Sequence, residues 1–207
     1  HPLSHAEHQL SSPTHMNDLP QTFMEPLLFK TACSRGTQAR MSTEYVGHIQ
    51  DADGVTTTCR DRLTGKDITI RSKFLIGADG GNSKVAEHAG LTYEGKMGVG
   101  GSMNILFEAD LSRHVAHRPS VLYWVLQPGA DVGGIGMGLV RMVRPWNEWL
   151  IVWGYDINQP APDVTTDFAI KVVRDLVGDQ DLQPNIKSVS TWTVNNMYAT
   201  TTSNGRV

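Results

Sequence analysis

The segment Lys73–Ser83, with the sequence KFLIGADGGNS, decides how the rest of the chain is interpreted. Its apolar run Phe74–Ile76 predicts a strand that stops abruptly at Gly77. Asn82 and Ser83 are both preferred residues for the start of a helix. Such a joint directs backbone N–H groups and the positive end of a helix toward whatever lies beyond the strand. Its glycines let a ligand approach the main chain closely, so the segment predicts a binding site for an anionic or hydroxyl-rich ligand.

Asp79 and Gly80 lie at the centre of this joint. A carboxylate beside the positive end of a helix cannot bind a phosphate itself. It can accept hydrogen bonds from sugar or ribityl hydroxyls, as the acidic residue of a dinucleotide site does. The alternative is a tight strand-to-helix turn in which Asp79 is only a local cap. The residues alone leave both interpretations open.

The segment FLIGADGGNSKV resembles the second fingerprint of the class A flavoprotein aromatic monooxygenases, a strand followed by Asp-Gly-x-x-Ser that contacts FAD and the nicotinamide nucleotide. That fingerprint usually closes with an arginine shortly after the serine. Ala86 stands at this place, and Lys84 is the candidate for the missing charge. The resemblance covers nearly the whole chain. Further segments similar to the phenol hydroxylase-like branch, which includes chlorophenol hydroxylases, are DLPQTFMEPLL (Asp18–Leu28), HRPSVLYWVLQPG (His117–Gly129), RMVRPWNEW (Arg141–Trp149) and STWTVNNMYAT (Ser190–Thr200).

The resemblance implies an α/β (mixed α+β) fold, the central part of a FAD-binding p-hydroxybenzoate hydroxylase-like fold with an antiparallel-sheet substrate domain. Residues 1–96 would belong to the FAD-binding domain, as a helix, a β-meander and the Asp-Gly motif. Residues 97–196 would form the substrate domain, and residues 197–207 would return to the FAD-binding domain. The chain would thus be an internal fragment of a longer protein, and its ends, His1 without an initiator Met and a turn at Asn204–Val207, support that expectation.

The resemblance also implies an activity. NADPH would reduce FAD, and one oxygen atom of dioxygen would pass to the ring of a phenol, chlorinated by preference, to give a catechol. Asp79, Gly80 and Ser83 would bind the cofactor, and Gln21, which opens the first helix, would reach the flavin. Trp153 and Tyr155 would lie near the phenol. The alternatives are that Gln21 is a simple surface residue and that the two aromatic residues belong to the core.

Composition is that of an ordinary globular protein: 207 residues, 40% hydrophobic, 19% charged, net charge -3. The absence of a basic footprint argues against nucleic acid as a partner. The sequence has no apolar run near the roughly 20 residues that a membrane span needs and no signal-peptide pattern, so it predicts a cytoplasmic protein. A homo-oligomer is compatible with the sequence. Cys33 and Cys59 are far apart and have no CxxC partner, which predicts reduced structural thiols.

Periodicity and turn residues predict the remaining elements. A helix is expected over Gln21–Arg35, and a short one over Ser83–Ala89 that Gly90 ends. A third helix is expected over Asp163–Val177. An aromatic-rich, largely antiparallel sheet should follow residue 97 and could line a pocket for a flat aromatic ligand. The predicted strands are Ala39–Gln50, Val55–Leu63, Asp67–Ile76, Ser102–Ala109, Ser120–Gln127, Ile135–Met142, Trp149–Tyr155 and Ile186–Val194.

Other functions fit the sequence less well. The spacing of Gly90, Gly95 and Lys96 imitates a phosphate-binding loop, but Met97 replaces the magnesium-binding Ser or Thr. No GxSxG or HExxH motif indicates a hydrolase. The amino-terminal histidines lack the accompanying carboxylates or cysteines of a metal site, so no metal is expected. Two alternatives remain: a halogenase or reductase of the same fold, and a non-catalytic ligand-binding domain.

Overall fold

The computed structural model describes residues 10–14, 18–126, 138–160 and 162–207. It confirms the mixed α/β class, with two antiparallel sheets. The helices are α1 (Gln21–Ser34), α2 (Lys84–His88), α3 (Ser112–Val115) and α4 (Thr166–Val177). The strands are β1 (Thr43–Gln50), β2 (Val55–Asp61), β3 (Asp67–Ser72), β4 (Tyr93–Glu108), β5 (Leu122–Val125), β6 (Gly138–Arg144), β7 (Glu148–Tyr155) and β8 (Asn185–Ala199).

The smaller sheet is the predicted meander, with the order β1-β2-β3. Asp51 tightens its first turn, because its carboxylate accepts the N–H groups of Asp53 (2.9 Å) and Gly54 (3.1 Å). Val55 and Cys59 alternate along β2 and are buried, and helix α2 packs against β1. The meander therefore supports the short helix that follows the Asp-Gly motif.

The predicted strand Asp67–Ile76 is too long, because β3 ends at Ser72 and residues 73–80 have no regular structure. Ile76 is 86% exposed. A strand needs a neighbouring ladder of backbone groups. Here the segment pairs with a residue that is distant in the sequence: the Leu75 N–H donates to the carbonyl of Arg206 (3.0 Å).

The larger sheet has the order β5-β6-β7-β4-β8, and the long strands β4 and β8 pair along most of their length. Both are longer than predicted. Helix α4 covers one face of this sheet. Thr165 starts the helix by accepting the Phe168 N–H (3.3 Å), and Gly178, with φ +75°, ends it. The buried core between them contains Met103, Ile105, Phe107, Val140, Trp149, Ile151, Ala169, Val172, Val173 and Leu176.

Helix α1 lies against the opposite face of the large sheet. The guanidinium of Arg141 donates to Asp18, just before the helix (2.6 Å), and Arg144 lies over the ring of Phe23 (4.6 Å). None of the side chains of α1 is buried among the described residues. A few polar and cation–π contacts thus place the amino-terminal end of this helix on the sheet.

The domain division predicted at residues 96/97 and 196/197 stays a proposal, with β4 running through the first position and β8 through the second. The histidines His1, His5, His8 and His15 lie outside the described residues, as do residues 135–137 of the predicted Ile135–Met142 strand. Within the described ranges, no helix has the length and apolar character needed to cross a membrane.

Candidate functional site

The Asp-Gly joint is held together by two side chains at the start of α2. The Ser83 hydroxyl donates to Asp79 Oδ1 and accepts the N–H of Ala86 (2.9 Å). The Val85 N–H donates to Asp79 Oδ2 (3.2 Å). Asp79 is therefore a cap of α2, as one interpretation of the sequence predicted.

Asp79 nevertheless keeps the ability to bind a ligand. The hydrogen bond from the Ser83 hydroxyl, helped by the Val85 N–H, lowers the pKa of the Asp79 carboxyl below its ordinary value, so the side chain is ionised at neutral pH. Each oxygen of an ionised carboxylate can accept about two hydrogen bonds. Because the carboxylate is exposed, a ligand hydroxyl can reach the acceptor positions that Ser83 and Val85 leave. Capping and ligand binding are thus compatible.

The backbone around Asp79 forms a cradle with one closed side and one open side. A Cβ added to Gly77 would lie 2.8 Å from Val85 Cβ, so at Gly77 the turn packs directly on α2. Gly80 has φ +79°, and no described atom lies within 4 Å of a Cβ built there. A cavity of about 320 Å³ opens beside it, lined by Gly80 and Ser83 and by residues of the 199–207 segment. A hydroxyl-rich chain, such as the ribityl chain of FAD, fits this donor and acceptor set.

A second cluster joins β1 to α2 behind this cradle. The Tyr45 hydroxyl makes hydrogen bonds to His48 Nδ1 (2.6 Å) and His88 Nδ1 (3.1 Å). Burial raises the pKa of Tyr45, and the negative charge of Asp79 adds to this rise. Burial, and then the charge of His88, lowers the pKa of His48. The cluster holds α2 against the meander through the hydrogen bonds of the Tyr45 hydroxyl.

Lys84, the candidate for the missing arginine of the fingerprint, is paired with Glu44 (3.1 Å). Glu44 also accepts from Arg62 (2.9 Å), and the hydrogen bond from Lys84 is the first reason that the pKa of Glu44 is lowered. Lys84 therefore already has an ion-pair partner within the protein, which it shares with Arg62.

Gln21 lies at the start of α1, away from the Asp79 cavity. It lines a separate cavity of about 600 Å³ between the helix and the large sheet. The sheet contributes Asn104, Leu106 and Leu150 to this cavity, all on the face opposite α4. The structure thus brings Asp79, Gly80 and Ser83 together and places Gln21 beside a second, larger cavity.

Trp153 and Tyr155 lie on the other face of the sheet, toward α4. Their rings are 6.5 Å apart, and Trp153 packs edge-on against Phe168 of α4 (5.7 Å). The ring of Tyr155 packs over Gly101, its partner on β4. A substrate role for these two aromatic residues stays a prediction. Their neighbours are those of a packed core, which is the alternative that the sequence left open.

Sequence reasoning missed three residues on the sheet face opposite α4, which the start of α1 approaches and which we call the open face: Asn104, Leu150 and Trp192. The Trp192 indole N–H donates to the Asn104 side-chain oxygen (3.1 Å). The alternation of side chains in β4 could have identified this face. Met103, Ile105 and Phe107 point into the core, so the even-numbered residues between them point to the opposite face.

The chain is similar to known flavin-dependent proteins. A family model described as FAD binding domain matches residues 2–207. Over 202 residues the chain is 57% identical to a 2,4-dichlorophenol 6-monooxygenase from Cupriavidus pinatubonensis, covering 98% of the chain and 34% of the relative. It is 48% identical to a phenol 2-monooxygenase from Pseudomonas sp., covering 100% of the chain and 32% of the relative. The chain therefore spans about a third of the length of these relatives.

Solved structures agree. The crystal structure of the flavin-dependent monooxygenase PieE in complex with FAD and substrate matches 100% of the chain and 35% of its own, with a TM-score of 0.88 and 36% identity. A ternary complex of aklavinone-11 hydroxylase with FAD and aklavinone matches 97% of the chain and 37% of its own, with a TM-score of 0.82. Its 21% identity supports the fold alone.

Proposed function

This chain belongs to the FAD binding domain family. We propose that the protein of which it forms part uses FAD, NADPH and dioxygen to hydroxylate a phenol to a catechol, with a chlorinated phenol as the expected substrate. The ionised Asp79 at the Gly80 turn carries the proposal, because it offers a hydroxyl-rich cofactor free acceptor positions beside an open backbone. The names of the relatives, a dichlorophenol and a phenol monooxygenase, support a phenolic substrate.

The residues of this chain would position the reactants. Asp79, Gly80 and Ser83 would hold the cofactor at its hydroxyl-bearing chain, and Gln21 would contact it from the start of α1. When bound, FAD supplies the redox chemistry and the reaction with dioxygen, which no side chain can provide. The protein contributes orientation and a cavity that limits access of water.

We place the phenol in the cavity of about 600 Å³ on the open face of the large sheet. Leu106 and Leu150 give this cavity an apolar wall for an aromatic ring, while Asn104 offers a polar group. Arg141 also lines it, and its ion pair with Asp18 (2.6 Å) balances its charge. A neutral phenol therefore fits better than an anionic aromatic acid.

The test uses the full-length protein and the variant Asp79→Ala. We expect loss of bound FAD and of phenol-dependent NADPH oxidation together, with the fold retained by circular dichroism. Asp61→Ala is the matched control, since Asp61 is also an exposed carboxylate that accepts backbone N–H groups, those of Leu63 (2.8 Å) and Thr64 (3.0 Å). If Asp79→Ala keeps wild-type flavin content and turnover, Asp79 is only a cap.

Product analysis separates the other members of the fold. A hydroxylase gives a catechol with one oxygen atom from labelled dioxygen, a halogenase gives a halogenated phenol, and a reductase consumes NADPH without changing the phenol. A protein that purifies without flavin would point to a non-catalytic domain. The cytoplasmic location and a homo-oligomer remain predictions.

A further inference from the structure

Ser102 carries a buried hydroxyl that lacks a partner. It lies in the middle of β4, its exposed fraction is 0%, and its Oγ makes no hydrogen bond to any described residue. A buried polar group without a partner is costly, and such groups in native proteins call for an explanation. Because Met103 and Ile105 point into the core, Ser102 points to the open face with Asn104.

Trp192 covers this part of the open face. Ser102 pairs with Trp192 on β8 and with Gly154 on β7, so Trp192 is the cross-strand neighbour with a side chain. The indole N–H reaches Asn104, two residues further along β4 (3.1 Å). The indole therefore extends from its position opposite Ser102 toward Asn104, along the face that carries the hydroxyl.

The indole resembles the ligand expected for this face. It is a flat aromatic ring whose polar hydrogen is donated to the amide oxygen of Asn104. A phenol is also a flat ring, and its O–H can make the same bond. A phenol oxygen can in addition accept the Ser102 O–H, which the indole N–H cannot do because it is only a donor. Trp192 thus satisfies Asn104 and leaves Ser102 unpaired.

We propose that Ser102 and Asn104 together bind the hydroxyl group of the phenol, and that Trp192 occupies this subsite until the phenol displaces it. This rests on the proposed hydroxylase function. The phenol O–H donates to Asn104 Oδ1, and the Ser102 O–H donates to the phenol oxygen. Side chains two residues apart leave a strand about 7 Å apart. Two hydrogen bonds that share one oxygen span at most about 5.5 Å, so the amide of Asn104 must lean toward Ser102 for both side chains to reach the phenol oxygen.

The surroundings suit an exchange of this kind. Trp192 is 46% exposed, so its ring can leave without opening the core. Asn104, one of the two residues of the subsite, also lines the neighbouring cavity of about 600 Å³ beside the start of α1. Ser102 and Asn104 are uncharged, which favours a neutral hydroxyl over a phenolate.

The experiment measures binding of phenol and toluene to the FAD-loaded full-length enzyme by calorimetry, without NADPH. Toluene has the ring and lacks the hydroxyl. In Ser102→Ala we expect the Kd of phenol to rise roughly three- to tenfold, as for loss of one hydrogen bond, and that of toluene to stay unchanged. In Trp192→Phe, which keeps a ring but loses the N–H, phenol should bind roughly two- to tenfold more tightly.

Thr191→Val is the matched control, since it removes a hydroxyl from the adjacent position of β8 on the opposite face, and it should leave both Kd values unchanged. Stability gives a second readout: Ser102→Ala should unfold at the same temperature as the wild type or higher, because its hydroxyl has no partner to lose.

An equal change for phenol and toluene, no change in Ser102→Ala, or weaker phenol binding in Trp192→Phe would each overturn the subsite. If the wild type does not turn over phenol at all, the proposed function itself fails. If it does and the variants behave like the control, only the subsite fails.

Discussion

Gly77→Ala tests whether the close packing of the turn on α2 shapes the cofactor cradle. The added Cβ would lie 2.8 Å from both Cβ and Cγ1 of Val85, whereas carbon atoms prefer separations of about 3.5–4.0 Å. Rotating the Val85 side chain moves Cγ1 but not Cβ, so the helix itself must shift by about 0.7 Å or more. Overpacking of this kind costs about 1–3 kcal/mol.

The shift would carry Ser83 away from Asp79, because Ser83 caps the same helix. We therefore expect Gly77→Ala to lower the stability of the full-length protein by about 1–3 kcal/mol and to weaken FAD binding. Urea unfolding measures the first effect and flavin titration of the stripped protein the second. Hydrogen exchange at Val85 and Ala86, whose amides bond to Asp79 and Ser83, should become faster.

Gly81→Ala is the matched control for this prediction. No described atom lies within 4 Å of a Cβ built at Gly81, and its φ is not positive. The change should be neutral or stabilising by about 0.4–1 kcal/mol, because alanine reduces the freedom of the unfolded chain. If both variants unfold and bind FAD alike, the contact between Gly77 and Val85 has no influence on the cradle and the reasoning is wrong.

Two further predictions concern the packing around both sites. Burial lowers the pKa of His48, so below about pH 6.5 the unfolded chain binds more protons at this residue than the folded one, and stability falls as the pH is lowered. His48→Gln should flatten that part of the pH profile of stability, and an unchanged profile would contradict this. Trp153→Ala should cost about 3 kcal/mol of stability, the lower end for such a change because the ring is only half-buried against Phe168, and should leave the Kd of phenol within about twofold. A changed Kd at unchanged stability would instead support the substrate role predicted for Trp153.

Local chemistry made the Asp-Gly joint predictable. Ser83 as N-cap and Gly90 near the end of α2 both follow from residue types that act within a few positions. Gly90, with φ +69°, adopts the backbone conformation expected of a glycine after a helix.

Contacts between distant parts of the chain were not predictable in the same way. Residues 74–76 are apolar enough for a strand, but the backbone pairing at Leu75 comes from Arg206, more than a hundred positions away in the sequence. The Arg206 side chain adds bonds to the carbonyls of Ala52 and Lys73 and lies over the ring of Phe74 (5.4 Å). Sequence periodicity carries no information about such a partner.

Faces of the large sheet were harder to assign than its strands. Aromatic enrichment suggested a pocket for a flat ligand, but enrichment does not distinguish the two sides of a strand. Trp149 and Trp153 share the face covered by α4, whereas Trp192 lies on the open face with Asn104. A strand alternates its side chains, so one buried residue fixes the side of its neighbours in the regular part of β4, from Gly100 to Glu108.

The three-stranded meander explains how an exposed acid can keep a fixed geometry. Asp79 is held by α2, a helix of five residues, which is too short to be stable alone. The meander supplies the missing stability through Glu44, which pairs with Lys84, and through Tyr45, which bonds His88 at the other end of the helix. Both ends of α2 are thus fixed to β1, while Asp79 and Gly80 stay exposed. Changes in β1 should therefore affect cofactor binding without touching any residue that we propose for the cofactor site.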